Sequence, residues 1–276
     1  MNSSKASVLS IKGGIDTHVH VFRNDLAMSA NRRYEPVYNA LADDLEEVQK
    51  PFQIARTFLV QPSFLGFDNR YIIEVIAQNP AKYAGIAVVP FDVDDSQLQN
   101  LKLKGIVGVR LNLIGVKNLP DCYQLQSFAE KLAKYNFVLE IQAQDQQWQA
   151  LAVSLANMEC KVLIDHFGRI NMARYAASLD ALMDCAQKNN NLWFKFSAPY
   201  RSNFVSTFLI AQQIFKAQFQ QRIVWGSDWP WTQFESQFCY EDTLTWLAQL
   251  VNDEQLLKQI LTTNPKKLYD ISNSFS

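Results

Sequence analysis

Short apolar runs that alternate with longer helical segments constrain the fold of this chain most. Each run is rich in β-branched and aromatic residues, and each is followed by apolar residues at helical spacing, which is typical of βα units around a parallel sheet. Eight predicted strands can be counted, at 14–22, 55–63, 83–91, 106–113, 137–144, 161–169, 192–201 and 222–231. Predicted helices between or after them include 69–78, 123–135, 147–157, 173–189, 204–219 and a terminal helix at 253–261.

The connections between these units favour one closed barrel. The 276 residues contain no long linker and no low-complexity segment, and no G-x-G-x-x-G follows the first strand, so a dinucleotide-binding sheet lacks its phosphate loop. The fold class we predict is α/β, a (β/α)8 TIM barrel, as a single domain over 1–276. We expect 1–12 to be a flexible N-terminus and 23–51, the longest connection, to be a lid loop over the active site.

The charge balance excludes several classes of partner. The chain carries 26 Lys and Arg against 27 Asp and Glu, with no basic run, so neither a nucleic acid nor an anionic membrane surface is indicated. No apolar stretch is long enough to span a membrane, and the four cysteines form no C-x-x-C pair of a zinc ribbon. We therefore expect a cytoplasmic protein that binds a small molecule, and the sequence indicates no oligomeric state.

Alternation within the strands predicts which polar side chains face the lumen. In a barrel, successive strand residues point alternately inward and toward the helices, and the outward side is apolar. On this basis Ile15, Phe58 and Val60 are expected to face outward. The predicted lumen-facing residues are Asp16, His18 and His20; Gln61 and Ser63; Arg110 and Asn112; Glu140, Gln142 and Gln144; Trp193, Lys195 and Ser197; His166, provided that Ile164 points inward; and Asp228, in register with Val224 and Gly226.

All three histidines of the chain belong to this set. His18 and His20 share one face of a strand, and His166 and Asp228 come at the carboxyl ends of two others, where barrel enzymes place their chemistry. Three imidazoles and a carboxylate are a plausible set of ligands for Zn2+ or Mn2+, but Asp228 could equally act as a general base toward water. The residue types alone leave both readings open.

Three segments resemble the strand 1, 6 and 8 signatures of the amidohydrolase superfamily. They are 15–20 (IDTHVH), 164–169 (IDHFGR) and 225–230 (WGSDWP). Segments 60–63 (VQPS), 108–112 (GVRLN) and 195–201 (KFSAPYR) further resemble the branch of the amidohydrolase 2 family that contains 2-pyrone-4,6-dicarboxylate lactonase and several sugar lactonases. The resemblance implies a catalytic group of His18, His20, His166 and Asp228.

The resemblance also implies how substrate and cofactor would be handled. Arg110, Arg169, Arg201 and Ser63 match positions that hold substrate carboxylates. Gln142 stands in the place of a Tyr and is the fifth residue expected to bind substrate. Family members with a metal usually have a His at the end of strand five, and Gln142 or Gln144 occupies that place here, so no metal is expected; if one binds, its ligands would be His18, His20 and Asp228. An Arg that the branch carries after strand four is not evident in 114–117 (IGVK).

These expectations lead to one preferred function and two alternatives. The preferred function is hydrolysis of a carboxylated or polyhydroxylated lactone by water that Asp228 activates. The first alternative is a mononuclear decarboxylase, dependent on Zn2+ or Mn2+, that acts on an aromatic or unsaturated carboxylic acid. The second is a barrel that binds a sugar acid without catalysis.

Overall fold

The computed structural model describes residues 12–271, and it confirms the predicted barrel. Eight parallel strands follow one another in sheet order β1 to β8. The strands are β1 Gly14–Val19, β2 Ile54–Val60, β3 Tyr83–Ala87, β4 Ile106–Asn112, β5 Val138–Gln142, β6 Val162–Ile164, β7 Leu192–Phe196 and β8 Ile223–Trp225. The expected flexible segment 1–12 lies, apart from Lys12, outside the described residues.

Helices surround the strands. They are α1 Ala42–Gln49, α2 Arg70–Gln78, α3 Asp95–Leu103, α4 Cys122–Lys134, α5 Gln147–Leu155, α6 Met172–Lys188, α7 Phe204–Lys216, α8 Tyr240–Val251, α9 Glu254–Lys258 and α10 Asn264–Leu268. Helix α1 falls inside the segment predicted as a lid, so the open loop covers 20–41 only, and a backbone bridge between Phe22 and Ala40 ties its two ends together. None of the described helices has the length and apolar character required to cross a membrane.

The barrel interior is apolar at the amino ends of the strands and polar at their carboxyl ends. A buried apolar cluster fills the lower lumen, and Tyr269 closes it from below by stacking on Phe58 at 4.1 Å between ring centroids. The strand residues of this cluster are Ile15, Phe58, Val60, Ala84, Ile86, Val138, Leu163, Trp193 and Val224. Ionisable side chains therefore lie above a packed floor that excludes water from below.

The predicted alternation is right on β4, β5, β7 and β8 but wrong on β1 and β2. Ile15 points into the lumen, while Asp16 points outward and accepts a hydrogen bond from Tyr240 Oη at 2.7 Å. A register shift between Asp16 and Val19 then returns His18 and His20 to the inner side. On β2, Phe58 and Val60 face the lumen.

The expectation that Gln61 faces the lumen is also wrong. Its amide donates to the carbonyl oxygens of Gly66 and Asp68 in the following loop, so it stabilises that loop. Strand alternation alone does not reveal that the amide nitrogen of Gln61 binds backbone carbonyls of a loop.

Strand β6 reaches the lumen differently from the prediction. Ile164 packs outward and Asp165 faces inward, where it contacts Arg110. His166 nevertheless reaches the same space because its backbone is left-handed, with φ of 51°. The condition attached to His166 was therefore wrong, although the residue does reach the site.

Gly226 sets the distance between β1 and the chain leaving β8. A Cβ placed on it would lie 2.4 Å from His18 Cβ and 2.8 Å from the His18 backbone nitrogen. Both distances are shorter than atoms tolerate, so only glycine allows the strands to approach this closely.

We predict that Gly226→Ala destabilises the protein by about 1–3 kcal/mol, the usual cost of overpacking a filled interior. The φ of Gly226 is not in the left-handed region, so the loss would be steric. Urea unfolding of the two proteins would measure it. An unchanged midpoint would mean that β1 can move away from β8 without cost.

Candidate active site

A cavity of about 240 Å³ opens at the carboxyl ends of the strands. Eight of the nine residues predicted for catalysis or substrate binding line it, and His18 lies just beneath, fully buried. The lining residues include His20, Ser63, Arg110, Asn112, Gln142, His166, Arg169, Arg201 and Asp228 from the predicted sets, together with Arg33, Tyr34, Phe64, Tyr200 and Phe234. Gln144 lies outside this cavity.

Asp228 is the centre of the site. Its Oδ1 lies 3.6 Å from His18 Nε2, 3.7 Å from His20 Nε2 and 3.9 Å from His166 Nε2. Among the described residues this fully buried oxygen has no hydrogen-bond partner, and neither has His18 Nε2. A buried acceptor left open among three imidazoles is a place where a water or a substrate group can bind.

The other oxygen of Asp228 is held by two donors. Tyr200 Oη and Arg201 Nε each donate to Oδ2 at 2.7 Å. Burial alone would raise the pKa of Asp228, but the charge of Arg201 holds it well below its usual range. The sequence predicts that Arg201 binds substrate, and it does not predict the contact of Tyr200 with Asp228. Both residues follow β7 in a turn, and the alternation of strand residues does not give the direction of side chains in a turn.

The three histidines have well-defined partners at Nδ1. His20 Nδ1 donates to the carbonyl oxygen of Val60 at 2.8 Å, and His166 Nδ1 lies 2.8 Å from Ser197 Oγ. Burial lowers the pKa of His18 and His20 and lowers that of His166 to about 3. All three rings are therefore neutral at pH 7.

A buried ionic cluster supports His18 from behind. Lys195 Nζ lies 2.7 Å from Glu140 Oε2, 3.0 Å from Asp165 Oδ1 and 2.8 Å from His18 Nδ1. Tyr269 Oη donates to the other Glu140 oxygen at 2.6 Å. Alternation placed Glu140 and Lys195 in the lumen but gave no partner for either.

Two groups of buried side chains have the composition of a metal site. One consists of His18, His166 and Asp228, and the other of His18, Glu140 and Asp165. The ammonium nitrogen of Lys195 lies within hydrogen-bond distance of one ligand atom from each member of the second group, so a cationic group already stands where a metal would bind.

Four arginines approach the cavity, and two of them are paired. Arg110 Nε donates to Asp165 Oδ2 at 2.9 Å, and Arg201 pairs with Asp228. Arg33 and Arg169 have no ion-pair partner among residues 12–271, and Arg169 Nε is buried without a hydrogen bond there. Burial, with Arg201 and Arg33 nearby, lowers the pKa of Arg169 to about 10, so the guanidinium remains charged at pH 7.

Arg33, which is not predicted from the sequence, reaches the cavity from the loop over 20–41. Tyr34 and Tyr38 tie this loop across the barrel mouth by donating to the same oxygen of Glu235, at 3.1 and 2.6 Å. The missing arginine after strand four could have prompted a search for a replacement. Only the folded loop reveals that Arg33 lies near that connection.

Comparisons with known proteins agree with this architecture. The family model described as amidohydrolase matches residues 15–271. A 2-pyrone-4,6-dicarboxylate hydrolase from Comamonas testosteroni is 25% identical over 97% of this chain and 93% of its own. A 4-sulfomuconolactone hydrolase from Rhizobium radiobacter is 25% identical over 94% of this chain and 91% of its own.

A solved structure is also similar. It is that of a probable 2-pyrone-4,6-dicarboxylic acid hydrolase from Acinetobacter baumannii with citric acid bound, which is 35% identical with a TM-score of 0.85 and covers 94% of this chain and 100% of that one. The family-model match over residues 15–271 includes all eight strands except the first residue of β1. The chain belongs to the amidohydrolase family.

Proposed function

We propose that this protein is a hydrolase that opens a carboxylated lactone with water activated by Asp228. The observation that carries the proposal is the unpartnered Oδ1 of Asp228, which faces three neutral imidazoles at the bottom of a small polar cavity. The names of the relatives, hydrolases of a pyrone dicarboxylate and of a sulfomuconolactone, support the same class of substrate.

The proposed reaction begins with a water between Asp228 and His20. Because His20 Nδ1 donates to Val60, the neutral ring has its lone pair on Nε2, 3.7 Å from Asp228 Oδ1. Two acceptors at this distance suit one water that donates a hydrogen to each. The low pKa of Asp228 keeps it ionised and able to accept a hydrogen bond throughout the accessible pH range.

The water oxygen then forms a bond to the lactone carbonyl carbon while Asp228 takes its proton. The carbonyl oxygen becomes an oxyanion, which hydrogen-bond donors on the opposite side stabilise. We assign this role to His18, with His166 and Arg110, which lie 3.4 Å apart, lining the same space. When the intermediate collapses, the ring carbon–oxygen bond breaks and Asp228 returns its proton to the leaving oxygen.

Charge complementarity supports a substrate with two anionic groups. Arg110 and Arg201 are already paired with carboxylates, whereas Arg33 and Arg169 have no ion-pair partner among the described residues. A guanidinium binds a carboxylate through two parallel hydrogen bonds, so each of these two side chains can hold one. Ser63, Asn112 and Gln142 add neutral polar contacts. The similar structure from Acinetobacter baumannii has citric acid, a polycarboxylate, bound.

We propose that the reaction needs no divalent metal. The site brings together five cationic side chains and three carboxylates, which disfavours a further divalent cation.

Replacing Asp228 by Asn removes the base and keeps the shape of the side chain. We expect kcat for a carboxylated pyrone or muconolactone to fall by roughly 10³-fold or more, since general-base catalysis contributes about 10²–10⁴-fold. Asp184→Asn, on the exposed face of α6, is the matched control and should retain full activity. Chelator treatment should leave the wild-type rate unchanged, whereas a chelator-sensitive decarboxylation would contradict the proposal in favour of the metal-dependent alternative.

Replacing Arg169 by Met removes one of the two unpaired guanidiniums. We expect KM for a dicarboxylated lactone to rise by about 10–100-fold, because a charge-assisted hydrogen bond is worth about 1.5–3 kcal/mol. Arg33→Met should act in the same direction, and Arg174→Met, exposed at the start of α6, is the control. Equal KM values for the Arg169 variant and the control would refute the substrate assignment.

The lowered histidine pKa values predict an unusual pH profile. Because His18, His20 and His166 stay neutral below the ordinary histidine pKa of 6.5, kcat/KM should show no acid limb near pH 6.5. Unfolding allows these rings to take up protons, so stability should fall as the pH drops below 6.5. His166 should contribute about 1.4 kcal/mol per pH unit down to about pH 3, and His18 and His20 should act in the same direction. Initial rates and urea midpoints over this range would test both.

A further inference from the structure

We propose that Lys195 is a positioning residue that fixes His18 in the tautomer with hydrogen on Nε2, which makes His18 a hydrogen-bond donor toward the reacting centre and not a metal ligand. The assignment of the tautomer rests on the geometry of the buried cluster. Its catalytic consequence rests on the proposed function, and the two are tested separately below.

The geometry leaves one arrangement of hydrogens. An ammonium group has three hydrogens and no lone pair. Lys195 Nζ donates to Glu140 Oε2 at 2.7 Å, forms an ion pair with Asp165 Oδ1 at 3.0 Å and lies 2.8 Å from His18 Nδ1. A hydrogen on His18 Nδ1 would point at the ammonium from 2.8 Å, with two donors facing each other. His18 Nδ1 must therefore accept, and its hydrogen is on Nε2.

The charges around Lys195 keep it an ammonium. Glu140 faces it from β5 and Asp165 from the end of β6, and both carboxylates are fully buried. Their outer oxygens are occupied by Tyr269 and Arg110. A neutral lysine would leave two buried carboxylates against the single charge of Arg110, which is far more costly than the ion pairs observed.

The fixed tautomer gives His18 a defined chemical capacity. Its Nε2–H lies beneath the cavity, 3.6 Å from Asp228 Oδ1, and has no hydrogen-bond partner among residues 12–271. An imidazole that accepts a hydrogen bond from an ammonium at one nitrogen is a stronger donor at the other, because the two bonds polarise each other. His18 is therefore prepared to donate to an oxyanion.

The same arrangement opposes metal binding at both candidate groups. A metal held by His18, His166 and Asp228 would need a lone pair on His18 Nε2, where the hydrogen is. A metal held by His18, Glu140 and Asp165 would need the place of Lys195 Nζ. The ammonium of Lys195 therefore occupies the place of a metal ion and engages the side chains that would bind it.

The tautomer can be observed directly in the wild-type protein. The chain has three histidines, so an untagged protein labelled with 15N-histidine has only six ring nitrogens to resolve. We expect His18, identified by its loss in His18→Gln, to show an unprotonated Nδ1 and a protonated Nε2 at pH 7. A protonated Nδ1 would overturn the proposal, whatever the enzyme's activity.

Lys195→Met tests the consequence for catalysis. We expect kcat to fall by about 10²–10³-fold, the usual effect of losing an oxyanion donor, with KM changed less than about threefold. Tyr269→Phe is the matched control, since it removes a hydrogen bond from the same cluster without touching His18, and it should keep kcat. An unchanged kcat in Lys195→Met would overturn the catalytic part. If that variant does not fold, Lys195→Met with Glu140→Gln, which removes one of the two carboxylates, takes its place.

Metal content gives a readout independent of activity. Dialysed against Zn2+ alone, the wild type should retain no stoichiometric metal, whereas Lys195→Met should gain zinc because Glu140, Asp165 and His18 then lack their cation. Stoichiometric zinc in the wild type that shifts the His18 nitrogens would refute the blocking role. If the wild-type protein hydrolyses no lactone but His18 shows the expected tautomer, the proposed function is refuted. The role of Lys195 in fixing that tautomer then still holds.

Discussion

Everything at the site depends on the backbone contact that closes the barrel between its first and last strands. Asp228 N donates to His18 O at 2.9 Å, and His20 N donates to Trp229 O at 2.8 Å. These two bonds connect residues that are about 210 positions apart. They bring Nε2 of both His18 and His20 within 4 Å of Asp228 Oδ1. Gly226 permits the contact because it has no side chain to hold the strands apart.

Around this contact the buried charges alternate in sign. The ammonium of Lys195 lies between two carboxylates, His18 separates it from Asp228, and Asp228 is in turn held by Arg201. Each charge faces an opposite one or a neutral ring, so the desolvation cost of burying it is offset locally. The histidines stay neutral although carboxylates are near, because burial disfavours imidazolium and nearby cations, Lys195 beside His18 and Arg110 beside both His18 and His166, act in the same direction.

The fold and most of the residues that line the candidate cavity could be predicted from the sequence, because alternation of apolar residues is a local property. It failed where the backbone departs from regular strand geometry. The bulge after Asp16 reverses the faces of β1, and the left-handed residue His166 escapes the alternation of β6. It also could not find Arg33 or the Tyr200 contact, since both depend on how loops fold back over the barrel.

The shared acceptor of Tyr34 and Tyr38 has a consequence for how molecules enter and leave. Both hydroxyls donate to one oxygen of Glu235, which belongs to the segment after β8. A single carboxylate therefore connects the loop after the first strand to the loop after the last. Arg33 belongs to the loop over 20–41 that these bonds hold in place. If these two hydrogen bonds break and the loop over 20–41 moves outward, Arg33 moves with it, so that the binding site loses a positive charge when its entrance opens.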